Sequence, residues 1–265
     1  MKFTRWSERM ARCAMTLAMV ASLAASAAAQ TVLIDFGTNA SFRGVDVPIP
    51  DANGNYWNGV APGGFFVDLK DTTNVPTTID FGFSTPVGTD SFNGPAGATT
   101  FPDPTAGEIA ATDIDVAALG ILGIKEAAID FVAGPSLVDN RVRFEIQQLD
   151  PSKTYNLTFF GSHKFSDDDT TVFTVFSDNT YLTPVATTSL NVQTPGSPFL
   201  HNRDTVATLT GIAPQASNIL YVQFVGINGG NGYLNDMVIT AVPEPSALLC
   251  MASGVALLVG LRRRR

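Results

Sequence analysis

Between residues 31 and 241, glycine, proline, asparagine and aspartate cut the chain into short apolar segments. The segments are 31–36 (TVLIDF), 78–83 (TIDFGF), 128–132 (AIDFV), 141–146 (RVRFEI), 155–161 (YNLTFFG), 171–176 (TVFTVF), 205–210 (TVATLT), 219–225 (ILYVQFV) and 233–240 (YLNDMVIT). Their β-branched and aromatic residues suit a pleated, half-buried surface. Residues 141–146 alternate polar and apolar, as in a strand with one wet face. Turn clusters separate the segments at 150–152 (DPS), 177–179 (SDN), 213–214 (AP) and 228–232 (NGGNG). One short helix is expected near 112–122, capped by Thr112 or Asp113 and ended by Gly120 and Gly123. Ile-Asp-Phe recurs at 34–36, 79–81 and 129–131, too short a unit for a structural repeat. Many short strands with little helix predict an all-β domain, an antiparallel β-sandwich of jelly-roll type.

The two cysteines, Cys13 and Cys250, both lie outside this body. A disulfide, a thiol nucleophile and a thiolate metal site are therefore excluded within it. An ordinary apolar core must hold it together, and about 210 residues suffice for one.

The ends carry processing signals. Lys2, Arg5, Arg9 and Arg12 form a basic region, and residues 13–29 are apolar and alanine-rich. Ala27-Ala28-Ala29 before Gln30 fits the small-residue cleavage rule, so signal peptidase is expected to cut after Ala29. Residues 1–29 are then a signal peptide and 30–241 the sandwich domain. At the other end, Pro243-Glu244-Pro245 opens a segment that is uncharged from 246 to 261 and closes on Arg262, Arg263, Arg264 and Arg265. Prolines hold the triplet extended, and the apolar run falls short of the roughly 20 residues that span a bilayer comfortably. The arginines favour the cytoplasmic side.

This tail, residues 242–265, resembles the PEP-CTERM sorting signal of Gram-negative bacteria in its three parts and their order. The resemblance implies a short transmembrane helix that holds the protein at the inner membrane. It further implies recognition by an exosortase, cleavage near Pro243-Glu244-Pro245, and transfer to the cell surface or an exopolysaccharide matrix. Within the body, 149–162 (LDPSKTYNLTFFGS) and 230–240 (GNGYLNDMVIT) resemble the Tyr-led central strand and the closing strand of galactose-binding-like sandwiches. The latter resemblance implies a last strand lying beside the first.

Trimming both ends sharpens the charge. Eight of the 16 basic residues and two of the 24 acidic ones lie at the ends, so the body holds eight against 22, a net charge of about −14. Such a body repels phosphate backbones, and no nucleic-acid partner is expected.

Catalytic signals are sparse. His163 and His201 are the body's histidines, each expected at the surface or in a loop, and no Gly-x-Ser-x-Gly elbow is present. Glu108, Glu126 and Glu145 stand in no telling motif. Hard cations want oxygen ligands, so structural calcium is a candidate cofactor. Asp167-Asp168-Asp169 reads as a solvated acidic turn, whereas Asp35 and Asp236 would meet if first and last strands pair. Sugar rings stack on aromatic faces, which singles out Tyr56 and Trp57 in the loop 51–59 and Asn231 and Tyr233 in a second Gly/Asn loop. Trp57 serves equally as a core plug, and the second loop equally as a turn. The expectation is a non-enzymatic, exosortase-sorted surface or matrix protein contacting exopolysaccharide. The alternative is an exported glycan or ester hydrolase.

Overall fold

The computed structural model describes residues 29–39, 44–91, 104–135, 140–164, 169–194, 200–227 and 230–243. Glu244, Pro245 and Arg262 to Arg265 lie outside these, as do Asp167 and Asp168. Thr31–Val242 forms one compact unit. Met1–Gln30 and Pro243–Arg265 fall outside that unit and almost wholly outside the described residues.

The unit is mostly β. One sheet contains β1 (Gln30–Asp35), β2 (Asn58–Gly59), β8 (Lys153–Phe160), β12 (Ala207–Ile212) and β15 (Asp236–Pro243), in the order β12-β8-β15-β1-β2. Last and first strands are therefore neighbours. The second sheet contains β3 (Phe65–Phe66), β4 (Asp80–Phe83), β7 (Arg141–Gln147), β9 (Asp169–Phe176), β10 (Pro184–Thr194), β11 (Leu200–His201) and β13 (Leu220–Ile227). Its order is β11-β10-β9-β13-β7-β4-β3. Short strands β5 (Gly88–Ser91), β6 (Asp130–Ala133) and β14 (Tyr233–Leu234) make a third, small sheet. The described pairings are antiparallel except β1 with β2, which run parallel.

Side-chain alternation explains the layers. Val32 and Ile34 of β1, Leu157 and Phe159 of β8, and Met237 and Ile239 of β15 face the seven-stranded sheet. They meet Phe81, Phe144, Phe173 and Phe224 there, and Phe159 stacks on Phe173 at 4.3 Å. Burying a large side chain of this kind is worth about 1.5–3 kcal/mol, so this interface dominates stability. Leu33, Phe160 and Val238, on the opposite face, pack instead against helical segments through Leu119, Leu122, Ala127 and Ala128. Both faces of the smaller sheet are thus covered, which is why 31–36 reads as a continuous apolar run.

The helical content corrects the single helix expected near 112–122. Among the described residues three short α-helices occur, α1 (Ala106–Ala110), α2 (Val116–Leu119) and α3 (Lys125–Ile129), with a 3₁₀ turn at Gly120–Leu122. Thr105 and Glu108 form a reciprocal capping box on α1. Asp115, rather than Thr112 or Asp113, caps α2 by accepting from Ala117 N and Ala118 N. Gly120, at φ 61°, ends α2 in a conformation that favours glycine.

Candidate functional site

Alternation along β1 and β15 places Asp35 with Leu33 and Asp236 with Val238, on the helix-covered face of the smaller sheet. Asp130 opens β6 and joins them. Asp35 and Asp236 are fully buried and Asp130 is 1% exposed. One loop binds two of these carboxylates: Val45 N donates to Asp130 Oδ2 at 2.9 Å, and Val47 N donates to Asp35 Oδ2 at 3.0 Å. Asp46, between those valines, brings a further carboxylate whose charge acts on Asp35 and Asp130. The remaining oxygens, Asp35 Oδ1, Asp130 Oδ1 and both of Asp236, have no hydrogen-bond partner among the described residues.

Asn235 locks the frame around them. Its side chain donates to Ala128 O and to Asp130 O at 2.9 and 2.7 Å and accepts from Ser162 N at 2.8 Å. Its backbone bonds Phe36 on one side and Phe160 on the other. Gly37 permits the close approach of Asp130: a Cβ there would fall 1.8 Å from Asp130 Oδ2.

Burial is the largest cause holding all three carboxyl pKa values well above 3.8. Negative neighbours add to it: Asp130, Asp236 and Asp46 act on Asp35, and Asp130 acts on Asp236. Backbone donors from Val47 and Val45 oppose the rise at Asp35 and Asp130. Among the described residues, no three His, Cys, Asp or Glu side chains converge closely enough to hold an ion as they stand.

The proposed sugar-stacking residues lie elsewhere and do not form one surface. Trp57 is 2% exposed, packs with Leu33 and Leu119, and donates its Nε1–H to Asp51 Oδ2 at 2.8 Å. Tyr233 is buried, stacked on the His163 ring at 4.0 Å and edge-on to Phe131. Both rings are therefore core elements and offer no open face, which corrects their assignment as stacking platforms. Tyr56 and Asn231 are half-buried. Ala29 and Pro243 are among the described residues, with Pro243 ending β15.

The histidines also depart from expectation, since both are buried. Burial first, then the charge of His201, lowers His163 to about 3; burial, with Lys164 and Arg203, lowers His201 to about 4. Ser162 Oγ lies 2.9 Å from His201 Nδ1, and His201 Nε2 lies 3.6 Å from Asp113 Oδ2. This has the outline of a catalytic triad. However, Ser162 is fully buried and its hydroxyl donates to Asn202 O at 2.7 Å, which aims the proton away from the imidazole. Asp169, part of the expected acidic turn, is buried too, with Oδ2 at 4.0 Å from His163 Nδ1.

A cleft of about 460 Å³ opens between the loop of Pro48 and Asp51 and the helices, lined by Ile109, Val116, Ile124 and Lys125. Neither Ser162 nor a histidine reaches it, and the Lys125 ammonium is engaged by Ala110 O. The sequence does not reveal the acidic centre as a set, because Asp130 lies in a segment that reads only as a strand and its burial is set by long-range packing. No protein-family model, curated protein or solved structure matches the chain.

Proposed function

We propose that the protein is an exported, non-enzymatic cell-surface or extracellular-matrix protein. Its body is a jelly-roll sandwich of the galactose-binding-like kind, freed by signal peptidase after Ala29 and sorted by an exosortase at Pro243-Glu244-Pro245. The observation that carries this reading is the pair of end signals, a basic then alanine-rich leader and the Pro-Glu-Pro, apolar and tetra-arginine tail, flanking one compact unit. The adjacency of β15 and β1 supports the kind of sandwich. The burial of Ser162 and its bond to Asn202 O support a non-enzymatic role over the hydrolase alternative.

Contact with exopolysaccharide falls to the outer face of the seven-stranded sheet. There Phe65, 58% exposed, lies in register with Gly82, Glu145 and Tyr221. Arg143 donates to Gln223 Oε1 and lies 4.3 Å over the Tyr181 ring. Tyr181 and Tyr221 are themselves buried, so Phe65 is the aromatic face that this surface offers to a sugar ring. Binding to the producing cells' own polysaccharide is expected to weaken on Phe65→Ala and to survive Tyr56→Ala; the reverse pattern moves the contact back to the loop.

The sorting claim is tested by cell fractionation of the wild type and of a variant with Pro243→Ala and Pro245→Ala. The wild type should leave the inner membrane without its arginine cluster while the variant stays there intact. Equal retention of both, tails included, would make the tail a plain anchor.

A further inference from the structure

Gln30 is the first residue of β1, and β1 runs inside its sheet between β15 and β2. Val32, Leu33 and Ile34 of that strand, and Phe36 just after it, are fully buried. Leu33 packs against the helical segments, while Val32, Ile34 and Phe36 join the core between the sheets. One strand therefore serves both apolar layers, and trimming it from its start would forfeit burial in both. The chain is anchored from the next residue on, where Thr31 O accepts from Thr72 N at 3.0 Å. Gln30 itself is half-buried, and among the described residues no hydrogen bond engages its side-chain amide.

We propose that Gln30, once signal peptidase has cut after Ala29, cyclises to an N-terminal pyroglutamyl residue that caps β1. The inference rests on that cleavage, and so on the export reading above. The new α-amine attacks the side-chain carbonyl carbon of its own residue. A bond from the amine nitrogen to Cδ forms, the bond from Cδ to Nε2 breaks, and Nε2 leaves as ammonia with a proton from the amine. No oxidant, reductant or second substrate is consumed. Half-burial favours the step, because it disfavours the charged ammonium relative to the neutral amine, which is the nucleophile. The side-chain amide also turns back without breaking a hydrogen bond among the described residues. The lactam then leaves a neutral group, rather than a charge, at the start of a strand set in an apolar sheet. It removes the free amine that aminopeptidases require, which preserves the full length of β1.

The test uses the protein isolated from the surface fraction of its producing cells, beside Gln30→Asn. The variant keeps an amide, but its shorter side chain would have to close a strained, smaller ring. Free amines are first blocked by reductive dimethylation, and trypsin then releases the N-terminal peptide 30–43, which ends at Arg43. The wild-type peptide is expected to carry no label at its N-terminus and to be lighter by one ammonia, and the variant peptide to be labelled. An aminopeptidase should shorten the variant and spare the wild type; the same rate of trimming in both would contradict the capping role. A wild-type peptide that begins with a labelled Gln30 overturns the proposal and leaves cleavage after Ala29 standing. A mature N-terminus at any other residue overturns both.

Discussion

Asp35 and Asp236 stand on adjacent strands, wholly out of solvent, and burial first, then the charges of Asp130 and Asp236, raises the pKa of Asp35. Two carboxyl groups packed together in the first and last strands make the seam where the fold closes sensitive to their protonation. The consequences are measurable.

Protons are the neutraliser of the acidic centre. The folded pKa values of Asp35, Asp130 and Asp236 lie well above 3.8, so their stabilising effect is complete below that value and is lost as pH rises through the folded pKa values. Because the two buried histidines act in the opposite sense over part of this range, the reading is the difference between wild type and Asp236→Asn. The wild type is expected to lose melting temperature relative to the variant as pH is raised from 4 toward 8, and a difference that stays flat contradicts the burial argument.

His163 and His201 act in the opposite sense. Their folded pKa values, about 3 and about 4, lie below the ordinary 6.5, so both contribute stability above 6.5 that is lost as pH falls toward 4 and 3. A tenfold change in an imidazole's proton affinity on folding corresponds to about 1.4 kcal/mol. Their share of the profile is a drop in stability between pH 6.5 and 4, and His163→Phe, which keeps an aromatic ring against Tyr233, should flatten it. Urea denaturation at several pH values measures the slope.

Gly37→Ala would place a methyl 1.8 Å from Asp130 Oδ2, and a shift of that carboxylate disturbs its bond from Val45. A loss of about 1–3 kcal/mol or more is expected. Gly107→Ala in α1 is the control, since its Cβ would meet only Thr105 Oγ1 at 3.9 Å. Helix propensity predicts a gain there of up to about 1 kcal/mol.

Asp51 organises the loop that seats Trp57. Its Oδ1 accepts from Asn53 N and Asn55 N, and its Oδ2 accepts the indole N–H. Asp51→Ala leaves that buried donor unpaired, and a loss of about 2–4 kcal/mol is expected. Tryptophan emission reports it, shifting to longer wavelength as water reaches Trp57.

The sequence made the strands legible wherever a segment carried its own apolar face, as in β7, β8, β9 and β13. It hid β10, the 11-residue strand Pro184–Thr194, because Ala186, Thr188, Leu190 and Val192 alternate with Thr187, Ser189 and Asn191 in a run too polar to stand out. Residues 128–132 read as strand throughout, yet α3 continues to Ile129 and only then does β6 begin at Asp130. Local residue type could not place that boundary, which is set by packing of Ala127, Ala128 and Ile129. For the site, strand adjacency made the Asp35 and Asp236 pairing legible from the likeness of the closing strand. Asp130 and Asp46 were not, because they arrive through long-range contacts. Trp57 and Tyr233 look like loop aromatics in sequence, and only their burial by Asp51 and His163 reveals core roles.

The most direct measurement is the intact mass of the protein isolated from the surface fraction of its producing cells, beside a variant with Pro243→Ala and Pro245→Ala. A wild type lacking residues 1–29 and the Arg262 to Arg265 cluster, and a variant that keeps the cluster, is the expected result. A wild type that keeps its arginines, or the same loss in both, would contradict sorting at Pro243-Glu244-Pro245.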